Sequence, residues 1–123
     1  MYKYFSMKEL ACQHCGEEGM NEDFMAKIEF LRQELGFPFV VTSAYRCKDH
    51  PIEAKKTSGP GAHSSGRAID IAVRGEQAHK LLKKAFSMGL GGIGVNQKGS
   101  SRFIHLDDLD QSASHTRPWV WSY

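Results

Sequence analysis

Residues 58–73 read as a loop that runs into a strand. Ser58-Gly59-Pro60-Gly61 is punctuation that neither a helix nor a central strand carries. Ala68-Ile69-Asp70-Ile71-Ala72-Val73 then alternates with period two, so Ile69, Ile71 and Val73 share one face and Ala68, Asp70 and Ala72 the other. The first face needs a core. The second presents a carboxylate among small side chains, and His63 lies seven residues back across a Gly66 that lets the loop turn. A neutral imidazole and a carboxylate held this way are good ligands for a first-row metal.

The elements that could supply the core follow from periodicity. Asn21, then Glu22 and Asp23, is a capping side chain followed by acids favoured by the helix dipole. Phe24, Ile28, Leu31 and Leu35 make one stripe, and Gly36 and Pro38 end the helix. A second helix is expected over Glu76–Met88, with Ala78, Leu81, Leu82, Ala85 and Phe86 inward and His79 at the surface. Phe39-Val40-Val41-Thr42-Ser43 is a β-branched strand that delivers Ala44-Tyr45-Arg46 to its end, where Arg46 alone would read as a solvated cation. A long polar loop follows, Lys48 through Gly61. Arg102-Phe103-Ile104-His105-Leu106-Asp107 is the last clear strand, with Ile104 and Leu106 inward and Phe103, His105 and Asp107 outward. The aromatic tail from Arg117 to Tyr123 is expected to pack across a sheet edge, or else to line a cleft. Gly89-Leu90-Gly91-Gly92-Ile93-Gly94 matches a dinucleotide fingerprint literally. It follows a helix and enters a strand, the reverse of the order that fingerprint needs.

At 123 residues the chain is one domain, 1–123, large enough for a real core. A formal charge of +2 is too mild to argue nucleic-acid binding, and no run reaches membrane-spanning length. The start, Met1 to Lys8, lacks an apolar signal core, so synthesis and retention in the cytoplasm are expected unless something else releases the protein.

Three cysteines argue against a purely disulfide framework. Cys12-x-x-Cys15 and Cys47-x-x-His50 together read as a candidate Cys3His structural zinc site; the plainer reading is three reduced thiols and a surface histidine.

His63, Asp70 and His105 give three ligands and leave a fourth position for water, the open arrangement of catalytic zinc. The run Gly61-Ala62-His63-Ser64-Ser65-Gly66-Arg67-Ala68-Ile69-Asp70 resembles the Ser-x-His-x-x-Gly-x-Ala-x-Asp signature of the M15 peptidases, with Gly61 in place of the leading Ser. These are the zinc D-Ala-D-Ala carboxypeptidases and phage L-alanyl-D-glutamate endolysins. Ser43-Ala44-Tyr45-Arg46, Phe103-Ile104-His105-Leu106-Asp107 and the tail from Arg117 extend the resemblance over Phe5 to Tyr123, most closely to the compact phage and bacterial forms.

The resemblance implies an α+β fold of the hedgehog/D-Ala-D-Ala peptidase kind, a small antiparallel sheet backed by two main helices. It implies one catalytic zinc on His63, Asp70 and His105, and Arg46 as the catalytic cation that steadies substrate or oxyanion. Water on the metal would attack an amide of a peptidoglycan stem peptide, as a carboxypeptidase or endopeptidase. Ser43, Tyr45 and Trp119 are the expected substrate-binding residues. The expected partner is that peptide, met by a monomer at the cell wall after phage lysis or virion delivery.

One departure matters. The family's acid three residues before the last histidine, or a His two before it, is Arg102 or Phe103 here. Asp107 replaces it as the catalytic base, or else orients His105; Asp108, Asp110 and His115 come next. A zinc-stabilised binding module of a phage particle or cell envelope, without catalysis, stays open as the alternative. A zinc-ribbon-like interaction domain built on the cysteines and His50 is a third reading.

Overall fold

The computed structural model describes residues 2–56 and 61–123; the Ser58-Gly59-Pro60 punctuation lies outside the described residues. Helix α1 (Met7–Leu10) is a single turn that the sequence reading did not anticipate. Ser6 and Glu9 close a capping box around it, satisfying the orphan amides that so short a helix would otherwise expose. Helix α2 (Glu22–Leu35) begins as expected, with the Asn21 side chain accepting from the Phe24 N–H at 3.0 Å, and ends at Gly36 with φ 74°. Its buried stripe is Phe24, Met25, Ile28 and Leu31, each side chain contributing about 2 kcal/mol by leaving water.

Strand β1 (Val40–Ser43) precedes helix α3 (Pro51–Ala54), which interrupts what the sequence suggested was a continuous polar loop. Pro51 opens that helix, and the Nδ1 of His50 caps it by accepting from the Ile52 N–H at 3.2 Å. A 3₁₀ turn (Ala62–Ser65) leads into β2 (Ala68–Ala72). Helix α4 (Gly75–Ser87) buries Ala78, Leu81 and Ala85. Phe86, expected inward, stands half exposed at 53%, because the helix turns it past the edge of the sheet-facing stripe. His79 is exposed as expected.

Strands β3 (Gly92–Asn96), β4 (Phe103–Asp107) and β5 (Trp119–Ser122) complete a five-stranded sheet in the order β1-β2-β4-β3-β5. The α+β layout is the expected one. Four strands pair antiparallel, but β5 runs parallel to β3, so the sheet is mixed rather than antiparallel throughout. The reason is connectivity: the chain leaves β4, reverses, and passes β3 to reach its far edge. The tail therefore packs on a sheet edge, as the sequence suggested. Ile69, Ile71, Ile93, Ile104 and Leu106 turn inward onto α2 and α4 in one core.

The register builds the opposite face. Ser43 pairs with Asp70, Asp70 with His105, His105 with Gly94, and Gly94 with Trp121, one row crossing all five strands. A second row runs Ala68, Asp107, Gly92, Trp119. Strict alternation would send Ser43 to the same side as Val41. The register shifts between Val41 and Ser43, and this bulge turns Ser43 toward Asp70.

A candidate metal centre

Two devices deliver the three candidate ligands. Asp70 and His105 are paired neighbours on β2 and β4, fixed by the ladder. His63 comes from the 3₁₀ turn, which Gly66 ends in the left-handed conformation at φ 76°. A side chain at Gly66 would also collide with the backbone of Gly19, while the Gly66 carbonyl accepts from the Asn21 N–H at 2.9 Å. The turn carrying His63 is thereby locked against the start of α2.

His63, Asp70 and His105 are all buried, at 5%, 6% and 3% exposure, and their ligand atoms lie within 4.8 Å of one another. His63 donates from Nδ1 to the Ala44 carbonyl at 2.7 Å, which leaves Nε2 facing Asp70 Oδ1 at 3.2 Å. His105 donates from Nε2 to Asp107 Oδ2 at 2.6 Å, which turns Nδ1 toward the same Asp70 oxygen at 3.0 Å. Ligand atoms about 2.0 Å from a tetrahedral zinc stand about 3.3 Å apart, so these two edges fit such an ion within a few tenths of an ångström. Each imidazole has its outer nitrogen anchored, the arrangement that fixes the tautomer of a metal-ligating histidine.

The charges are balanced by the same contacts. Burial raises the Asp70 pKa, yet bonds with His105 and His63 outweigh it and hold the carboxyl well below its usual range. Burial pushes His105 down, while Asp107 and Asp70 carry it above the ordinary imidazole value. Asp107 is fully buried. Burial alone would raise its pKa, but His105 and Arg117 bring it to about 2. Arg117 grips it with both arms of the guanidinium, Nε to Oδ1 at 2.9 Å and Nη2 to Oδ2 at 2.7 Å, and the Leu109 N–H adds a bond at 3.3 Å. Both Asp107 oxygens are engaged.

Arg46 approaches from the end of β1. Its Nε donates to Ser43 Oγ at 3.0 Å and its Nη1 to Glu53 Oε2 at 3.2 Å, while Nη2 stands 3.9 Å from Asp70 Oδ2. Glu53 escaped the sequence reading, which passed over its segment as loop. It is buried at 2% and also receives Lys56 at 3.0 Å and the Gly61 N–H at 2.6 Å. Burial would raise it, but the Gly61, Lys56 and Arg46 bonds hold it at about 2. Pro51, two residues ahead at the first position of α3, was the available signal for a helix there.

A cleft of about 570 Å3 lies over this face, lined by Ser43, Arg46, His50, Asp70, Arg102 and Phe103 among others. Among the other expected substrate-binding residues, Tyr45 turns away from that cleft and packs over Gly19. Trp119 is 53% exposed on β5. The tryptophan beside the ligands is Trp121, its ring 4.9 Å from that of His105. Gly94 makes this possible, since a Cβ there would meet the Trp121 ring at 2.6 Å, and a Cβ at Gly92 would strike the Asp107 carboxylate. The glycine run that mimicked a dinucleotide fingerprint is therefore clearance for the side chains of Trp121 and Asp107. Asp108, a reserve candidate for the base, is held by Arg67 at 2.8 and 2.7 Å and by Lys27 at 2.7 Å. Asp110 is exposed and His115 lies in the loop before β5. The three thiols Cys12, Cys15 and Cys47 gather in a second cluster, which His50 does not join.

No helix among the described residues is long and apolar enough to cross a membrane. No curated protein matches the chain. The model of one protein family, Peptidase M15, matches residues 3–107, a span that holds all three metal-ligand candidates and Arg46 and stops at Asp107, short of Arg117 and β5. With most of its length matched, the chain belongs to the Peptidase M15 family.

Proposed function

We propose that the protein is a zinc-dependent peptidase that hydrolyses amide bonds in peptidoglycan stem peptides. The observation that carries this reading is the convergence of His63, Asp70 and His105, each histidine anchored through the nitrogen that does not face the site. When bound, zinc supplies Lewis-acid polarisation of a carbonyl and acidifies water toward a pKa of about 7.

The chain's own residues do the rest. Arg46 is the catalytic cation: Ser43 and Glu53 orient its guanidinium, leaving Nη2 over Asp70, where it meets negative charge that develops on the scissile carbonyl oxygen. Asp107, which the sequence offered as base or as orienting partner, takes the second role, because both of its oxygens are committed and its side chain is sealed from the cleft. Trp121 covers His105 and excludes water from that side. Arg46 and Arg102, both lining the cleft, suit a short peptide bearing carboxylates, as stem peptides do.

One observation favours the second reading, a zinc-stabilised binding module. Among the described residues lining the cleft, Asp70 is the only carboxylate, and it faces both histidines. Incubation with defined muropeptides, products read by mass spectrometry with and without chelator, decides between them. Chelator-sensitive cleavage supports the peptidase and names the bond. Saturable binding with no product at any zinc concentration supports the module.

A further inference from the structure

The three cysteines stand apart from this chemistry. Cys12 and Cys47 are buried and Cys15 is exposed; all three are free thiols. Their sulfur atoms lie within 4.8 Å of one another, although 35 residues of chain separate Cys12 from Cys47. Sulfurs about 2.3 Å from a tetrahedral zinc stand about 3.8 Å apart, so a small closure accommodates the ion.

The backbone around them is shaped for sulfur that carries charge. The Cys47 N–H donates to Cys12 Sγ at 3.3 Å, tying the two halves of the cluster together. Two tight turns present the ligands, one closed by the Gly16 N–H on the Cys12 carbonyl at 2.8 Å, the other by the His50 N–H on the Cys47 carbonyl at 3.0 Å. Core filling alone leaves Cys15, exposed beside two buried thiols, unexplained.

We propose that Cys12, Cys15 and Cys47 bind a structural zinc ion, separate from the His63, Asp70 and His105 site. A set of three thiolates selects zinc over the hard cations. The fourth corner opens on a pocket of about 450 Å3 lined by His14, Tyr45, Lys48 and Asp49, from which a side chain or water completes it. His50, the fourth ligand that the sequence suggested, is occupied as the cap of α3 and lines the other cleft.

The ion would fasten the N-terminal segment to the stretch after β1. Arg46 immediately precedes Cys47, and its N–H donates to the His63 carbonyl at 3.2 Å. Its backbone is then held from both sides, by the metal through Cys47 and by the turn that carries His63.

Cobalt substitution of the full chain under reducing conditions tests this. Thiolate ligation gives an intense near-ultraviolet sulfur-to-cobalt charge-transfer band, which nitrogen and oxygen ligands do not. The expected result is that wild type and His63→Ala both show the band, that Cys15→Ser weakens or loses it, and that Cys15→Ser holds one fewer zinc per chain by elemental analysis. Cys15 is exposed, so serine there removes no buried volume. Thiol labelling of the wild type needs no variant: all three thiols should resist labelling until a chelator is added. Absence of the band in wild type, unchanged zinc content in Cys15→Ser, or labelling indifferent to chelator each overturns the proposal. So does a disulfide in the intact mass of protein purified without reductant but with zinc.

Discussion

His105 Nε2 and Asp107 Oδ2 are 2.6 Å apart, and that bond decides which face of the imidazole meets Asp70. Asp107 is in turn pinned by Arg117 from the loop before β5. The candidate metal centre is therefore oriented from behind by a chain of charge-assisted bonds that ends outside the stretch matched by the family model.

Asp107→Asn tests that chain directly. An orienting partner lost in this way should lower zinc affinity roughly tenfold to a hundredfold, with activity returning as zinc is added in excess. Titration of the variant's activity with zinc is the measurement. A fully metallated variant that stays inactive would restore Asp107 to the role of base.

Arg46→Ala should keep its zinc and its fold while turnover falls about a hundredfold, with little change in apparent substrate affinity. Arg46→Lys should recover only part, since a lysine cannot hold Ser43 and Glu53 together as a planar fork does. Steady-state kinetics beside elemental analysis reads both. An unchanged turnover number would make Arg46 a structural cation.

Glu53 gives a pH signature. Its carboxyl is held at about 2 against an ordinary 4.5. A depressed carboxyl pKa contributes stability that is fully present above the unfolded value and is lost as the pH falls from 4.5 toward 2. The contribution is at most about 3 kcal/mol. Melting temperatures of wild type and Glu53→Gln should therefore differ near neutrality and converge on acidification through that window. A gap that stays constant down to the acid end would show that Glu53 does not carry it.

Gly94→Ala should cost about 1 to 3 kcal/mol and displace Trp121 from His105, because the added methyl falls on the indole ring. Thermal melts and tryptophan emission report the two effects separately. Unaltered emission would mean that the ring does not depend on that clearance.

Periodicity carried the fold well where one face is core. The stripe of α2 and the alternation of Ile69, Ile71, Ile104 and Leu106 appear in the structure as the pattern required. The convergence of His63, Asp70 and His105 was legible because two of the three occupy the non-core face of readable strands. What escaped depends on pairing rather than pattern. The bulge that turns Ser43, the parallel docking of β5 and the seat of Trp121 over Gly94 are relationships between distant segments, which no window of sequence contains. Glu53 was missed for a different reason: four residues of helix are too short to show a period.

The row from Ser43 to Trp121 runs along the hydrogen-bonding direction of the sheet, so neighbouring strands set the spacing of Asp70 and His105 at about 4.8 Å. The strand ladder acts as a ruler for the centre, and it can also misread. A slip of one residue between β2 and β4 would turn Asp70 or His105 into the core and disperse the ligands entirely. Ion uptake at that centre would thus be a checkpoint on assembly: a chain that has paired these strands wrongly has nothing there with which to retain the ion, and occupancy of that centre, counted apart from any ion on the cysteines, counts the correctly threaded molecules in a preparation.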